Sequence, residues 1–159
     1  MRVLIWSLGL LALLAGLVVL TGALLPATRE GRAETVIAAP PERVLAVIAD
    51  VEAQPGWREV GSVTRTGDGW VEVTARGERI SFIAEEMSTA RVRLRFSSDA
   101  GYAGEWHALL QPIAGGTRIA VVERATAPSP LGRIAARLMF DPTAFATAYL
   151  AALKARVEG

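Results

Sequence analysis

The chain has 159 residues, a formal net charge of +1, no cysteine and a single histidine. That composition excludes disulfides, a thiolate nucleophile, cysteine-ligated zinc and a multi-histidine metal site, and it offers no basic excess to hold nucleic acid. Hydrophobic residues make up 52%, above the ~45–50% of an ordinary soluble chain, and the excess sits at the front.

From Val3 to Leu25 the sequence VLIWSLGLLALLAGLVVLTGALL carries no charge. At ~1.5 Å per residue such a run crosses a ~30 Å hydrocarbon core. Residues 1–25 therefore read as an N-terminal transmembrane anchor. A cleavable signal peptide is the competing reading, but its apolar region is usually only ~7–15 residues, and the best small-residue site, Thr21-Gly22-Ala23, lies inside the run. Arg2 and the terminal amine on one side face Arg29 and Arg32 on the other, so the positive-inside count does not set the orientation. A short N-terminal tail is the pattern of a signal anchor that exports the downstream chain, which places residues 33–159 outside the cytoplasm.

Pro26 ends the apolar helix, and residues 26–33 read as a short polar linker. Residues 34–159 are the size of one domain with one core. ETVIAA at 34–39 reads as a first strand, stopped by Pro40-Pro41 because neither can donate to a ladder; Pro41 suits a first helical turn. Val44, Val47, Ile48 and Val51 recur at helical spacing, and Pro55-Gly56 closes that segment and delivers Trp57. Strand-like runs then come between turn signals, at 60–66, 70–76, 79–86, 90–97, 103–113 and 117–126. The clearest alternation, Arg91, Arg93 and Arg95 against Val92, Leu94 and Phe96, requires one wet and one dry sheet face. The stretch from Pro130 to Val157 reads as two helices, 130–140 and 142–157, divided at Asp141-Pro142 and laid as the cover of the sheet.

This order of elements, together with IAAPPERVLAVIADVEAQPGW, resembles the START-like helix-grip superfamily, often labelled SRPBCC, and within it the polyketide cyclase/dehydrase branch. The superfamily holds polyketide cyclases, pollen-allergen-like binders and lipid-transfer domains. The resemblance covers residues 34–158. It implies an α+β fold in which a curved seven-stranded antiparallel sheet wraps a long C-terminal helix, with a cavity between them.

A long helix against a strongly curved sheet leaves an apolar cavity unless large side chains plug it. By the alternation, Val71, Val73, Ile80, Phe82, Val92, Leu94, Phe96, Trp106, Ala108, Ile119 and Val121 share the dry face, opposed by Phe145 and Tyr149. The candidate ligand-binding set is Trp57, Trp70, Phe82, Leu94, Phe96, Trp106, Val121, Glu123, Phe145 and Tyr149, with Trp57 and Trp70 at the mouth. Glu123 continues the dry face past Val121, at the rim or inside the cavity, where a buried carboxylate needs a partner or a raised pKa; exposure at the strand end is the alternative reading. Glu105 and His107 alternate with Trp106 and read as a solvated face. No nucleophile elbow, phosphate-cradling glycine loop or metal spacing appears, and no cofactor is implied. Three functions fit: a membrane-tethered binder of a hydrophobic small molecule or lipid, a cyclase or dehydratase using Glu123 or His107, and a partner-binding envelope protein whose cavity is filled by its own side chains.

Overall fold

The structure is a computed structural model that describes residues 2–159, with side chains from Trp6 onward. An apolar helix α1 (Arg2–Leu24) leads into β1 (Thr28–Ile37), α2 (Pro41–Ala49) and a 3₁₀ turn (Val51–Gly56). Six strands come next: β2 (Ser62–Thr66), β3 (Gly69–Val73), β4 (Arg79–Met87), β5 (Arg91–Ser98), β6 (Ala103–Ile113) and β7 (Gly116–Thr126). Two helices, α3 (Pro130–Met139) and α4 (Pro142–Glu158), complete the chain.

The seven strands form one antiparallel sheet in the order β1-β7-β6-β5-β4-β3-β2. Consecutive hairpins build β2 to β7, and β1 closes the far edge by pairing along β7 from Thr28↔Thr126 to Ile37↔Thr117. A register shift in β4 between Ala84 and Glu86 accommodates an extra residue, and such a bulge bends and twists the sheet. α4 lies across the resulting hollow with Pro142, Ala146, Leu150, Leu153 and Val157 buried. It packs chiefly on β1 and α2. Gly31 permits the approach, since a Cβ there would stand 2.3 Å from the Pro142 carbonyl carbon. α2 closes one end of the hollow through Val44 and Ile48, and Pro41 occupies its first turn as the sequence predicts. The arrangement is the helix-grip fold.

Three expectations are corrected. Residues 28–33, expected as linker, are strand. Their polar composition suits an edge strand, whose free backbone row natural proteins protect with charge, and Glu30 here pairs with Arg32 and Arg124. In β3 the inward positions are Trp70 and Glu72, both buried, while Val71 and Val73 lie half-buried on the other face. The hydropathy of Val-x-Val outweighed a Trp-x-Glu pair whose carboxylate is buried only because it has partners. Finally, α4 alone covers the sheet: α3 has no buried residue and packs against α1.

Candidate functional site

The hollow is lined by two groups of aromatic rings. Trp70 stacks on Phe82 at 5.2 Å and 5°, Phe82 meets Phe96 at 5.7 Å, and Phe96 meets Tyr102 edge-on at 6.3 Å. On the α4 side, Tyr149 sits between Trp57 at 5.8 Å and Trp106 at 5.3 Å. Leu94 and Val121 are buried in the same core. Phe145 is not: it is 40% exposed and packs on Phe140 at 5.5 Å. It lies one residue from Ala146 on α4, and the narrow buried stripe through Ala146 and Leu150 turns it off the sheet. Expected opposite the dry face, Phe145 is thus corrected to the rim near α3.

A polar cluster lies among these rings. Gln54, buried in the 3₁₀ turn, donates from Nε2 to the Ile48 carbonyl at 3.2 Å and accepts from Arg58 Nε at 2.9 Å. Arg58 also pairs with Glu72. Glu72 Oε1 further accepts from Trp70 Nε1 at 3.1 Å, and the Arg58 guanidinium stands 5.9 Å from the centre of the Tyr149 ring. Here a buried charge is tolerated because it is both paired and hydrogen-bonded. Hydropathy cannot show this group. The readable hint is that Arg58 follows Trp57 directly and Glu72 follows Trp70 by two, the spacing that puts two strand residues on one face.

Glu123 differs from Glu72. It is buried on β7 beside Trp106 of β6, and among the described residues its carboxyl has no hydrogen-bond partner. Burial pushes its pKa up to about 7, an effect opposed by the positive charge of Arg58 and reinforced by the negative charge of Glu72. Burial likewise raises the Tyr149 phenol, which stays protonated. The indole N–H of Trp57 is buried with no hydrogen-bond partner. The packed core between sheet and α4 therefore holds aromatic walls, a carboxyl that titrates near neutrality and, at the end of the 3₁₀ turn, a donor without an acceptor. Such a set can orient a polar head group or exchange a proton.

His107 and Glu105 lie on the outer face, 3.2 Å apart at Nε2 and Oε2, so of the two acid–base candidates, Glu123 and His107, only Glu123 is on the inner face. The arginine row on β5 is also outside, its three cations paired with two carboxylates. Arg93 and Arg95 both reach Glu85, and Arg91 lies 3.8 Å from Glu86. Two clefts open outside the hollow. One of about 620 Å³ lies mostly on the outer face, lined by residues such as Ser81, Ile83, Arg95, Glu105 and Arg124. The other, about 380 Å³, lies between Pro40-Pro41 and the β6–β7 hairpin.

No family model matches the chain, and neither does any curated protein. Solved structures do. An aromatase/cyclase from a Streptomyces species superposes with a TM-score of 0.64 at 13% identity, over 82% of this chain and 94% of that one. A START superfamily protein from Mycobacterium smegmatis gives 0.54 at 17%, over 82% and 97%. The chain has the START-like helix-grip fold. A third match, the protein TTHA0849 from Thermus thermophilus, gives 0.61 at 26% identity over 81% and 97%.

Proposed function

We propose that this protein is a membrane-tethered START-like module that takes a hydrophobic small molecule or lipid bearing an oxygen acceptor between its sheet and α4, without covalent chemistry. The observation that carries this reading is the buried Trp57 indole N–H, left without an acceptor beside the Tyr149 ring. Native interiors rarely leave such a donor unpaired, and a ligand oxygen would complete it. Trp57 sits at the end of the 3₁₀ turn, half-buried against Tyr149, so a small movement of that turn would admit the ligand. The Arg58–Glu72 pair then serves as a fixed polar floor and the rings as the apolar wall.

The tether is α1. Its segment Trp6–Leu24 has a mean hydropathy of 2.3 and is almost wholly exposed, as a span facing lipid would be. The START-like domain would stand outside the cytoplasm.

Native mass spectrometry and lipid extraction of the detergent-purified full chain should find an apolar molecule bound, and an apolar fluorescent dye should compete with it. Trp57→Phe, which keeps a ring but loses the donor, should weaken capture about tenfold, the worth of a hydrogen bond of ~1.4 kcal/mol. An empty protein that takes up no dye would instead favour a partner-binding protein with a closed core. The contacting rings of Trp57, Tyr149 and Trp106, which fill much of the hollow, speak for that second reading.

A further inference from the structure

α3 is amphipathic in the wrong sense for a helix of a water-soluble domain. At ~100° per residue, Leu131, Ile134, Ala135, Leu138 and Met139 fall on one arc, and Arg133 and Arg137 on the other. Of the two arginines, Arg133 faces the protein and Arg137 is exposed. Arg133 donates through Nη1 to the carbonyls of Ala23 at 3.0 Å, in the last turn of α1, and Leu25 at 3.3 Å, just past it, and through Nη2 to the Pro128 carbonyl at 3.0 Å. The apolar side faces outward: Leu131 is 58% exposed, Leu138 80% and Met139 69%. Large apolar side chains gathered on one exposed face mark a surface that something covers.

The position of α1 indicates the cover. Gly22, the one buried residue in the described part of α1, lies so close to Pro130 that a Cβ would stand 2.3 Å from the Pro130 carbonyl oxygen. The start of α3 is therefore held at the end of the apolar run, where a spanning helix leaves the hydrocarbon. Arg29 of β1 fixes the other end, donating to the carbonyls of Ala136 and Phe140. Between α1 and β1 only Leu25, Pro26 and Ala27 intervene, and Ala127 donates back to the Ala27 carbonyl at 2.9 Å, so the domain has no slack to lift away.

We propose that α3 lies in the plane of the membrane interface, with Leu131, Leu138 and Met139 immersed at the boundary of head groups and acyl chains, so that the domain is seated on the bilayer and not merely leashed to it. An apolar face with Leu and Met, backed by arginine and continuous with a span, is the composition of an interfacial helix. Arg137 can reach anionic head groups from its edge. The seating also orients the hollow: β7 runs toward α3, and Glu123 stands four residues before Ala127, roughly 13 Å from that end at ~3.3 Å per residue.

The inference rests on α1 spanning the membrane, and the test separates the two. The chain has no native cysteine, so single labels are clean. The full chain carrying Leu138→Cys, Leu13→Cys or Arg118→Cys is labelled with an environment-sensitive fluorophore and reconstituted in phosphatidylethanolamine/phosphatidylglycerol vesicles. The Leu138 label should lose roughly half its emission or more to a shallow nitroxide lipid, as immersion of ~5–10 Å requires. The Leu13 label should be quenched by a deep nitroxide, and Arg118, on the outer face far from α3, by aqueous iodide alone. Leu13 quenched by lipid while Leu138 answers only to iodide would leave the tether standing and overturn the interfacial helix. A Leu138 label shielded from both quenchers would mean that protein covers α3, and would overturn it as well. A Leu13 label that lipid cannot quench would remove the tether and the interfacial helix together.

Discussion

α3 and α4 are consecutive, with only Phe140 and Asp141 between them. Both begin with a proline behind a capping side chain and both carry an apolar stripe, yet they dispose of it in opposite ways. α4 presses Ala146, Leu150, Leu153 and Val157 into the sheet and α2, and its outer side is largely alanine, threonine and charge. α3 turns its leucines and methionine outward and directs Arg133 to the end of α1. The apolar content of a helix says how much must be covered; its neighbours decide by what. For α4 the cover is the sheet, which the chain itself supplies.

The contrast is tested most severely by truncating one leucine on each helix. Leu153→Ala, at a fully buried site, should cost about 2–5 kcal/mol in chemical denaturation of the detergent-solubilised chain, whereas Leu138→Ala should change it by no more than about 0.5 kcal/mol. Equal losses would mean that α3 is packed like α4. The glycines beneath the two helices come next. Gly31→Ala forces Pro142 off β1 and should destabilise the domain by about 1–3 kcal/mol, while Gly22→Ala should loosen only the α1–α3 joint and leave the main unfolding transition in place.

A third prediction concerns the space beneath α4, because its floor is partly polar. The folded Glu123 carboxyl keeps its proton up to about pH 7 and an ordinary one releases it near 4.5. The folded state thus binds the extra proton between those values; this contribution is complete below about 4.5 and is lost as pH rises through about 7. Glu123→Gln should match the parent near about pH 4 and exceed it near about pH 8, by on the order of 2 kcal/mol, in melting curves taken across that range. Identical pH profiles would show that Glu123 is hydrated. The smallest effects belong to the caps. Ser129 accepts from Gly132 N at 3.0 Å, and Asp141 from Thr143 N at 2.9 Å and Ala144 N at 3.1 Å. Replacing either by alanine should cost about 1 kcal/mol. By hydrogen exchange the first loss should be confined to α3, and the second should spread to the core.

The order of elements was legible because each boundary has a local physical cause. Pro40-Pro41 cannot donate to a ladder, Asp141-Pro142 caps and starts a helix, and β6 and β7 are joined by a glycine-rich turn. The outward placement of Glu105 and His107 also came from the pleat. The illegible parts depend on partners far along the chain. Residues 28–33 look like a linker until β7 is seen beside them. Val71 and Val73 outscore Trp70 and Glu72 until Arg58, fourteen residues before Glu72, is known to meet that carboxylate. Phe145 looks inward on a wheel, but the buried stripe of α4 runs through Ala146 and Leu150 and leaves it at the rim. Glu123 was legible as a buried acid from alternation alone; its lack of a partner was not.

On the proposed seating, the Arg133 contacts would couple the tilt of α1 to the domain. A span longer than the local hydrocarbon thickness accommodates by tilting. With the carbonyls of Ala23 in α1 and Leu25 just past it held by Arg133, and only three residues before β1, the START-like domain would have to tilt with it. Bilayer thickness would thereby set the angle at which the rim at Phe140 and Phe145 meets the membrane surface.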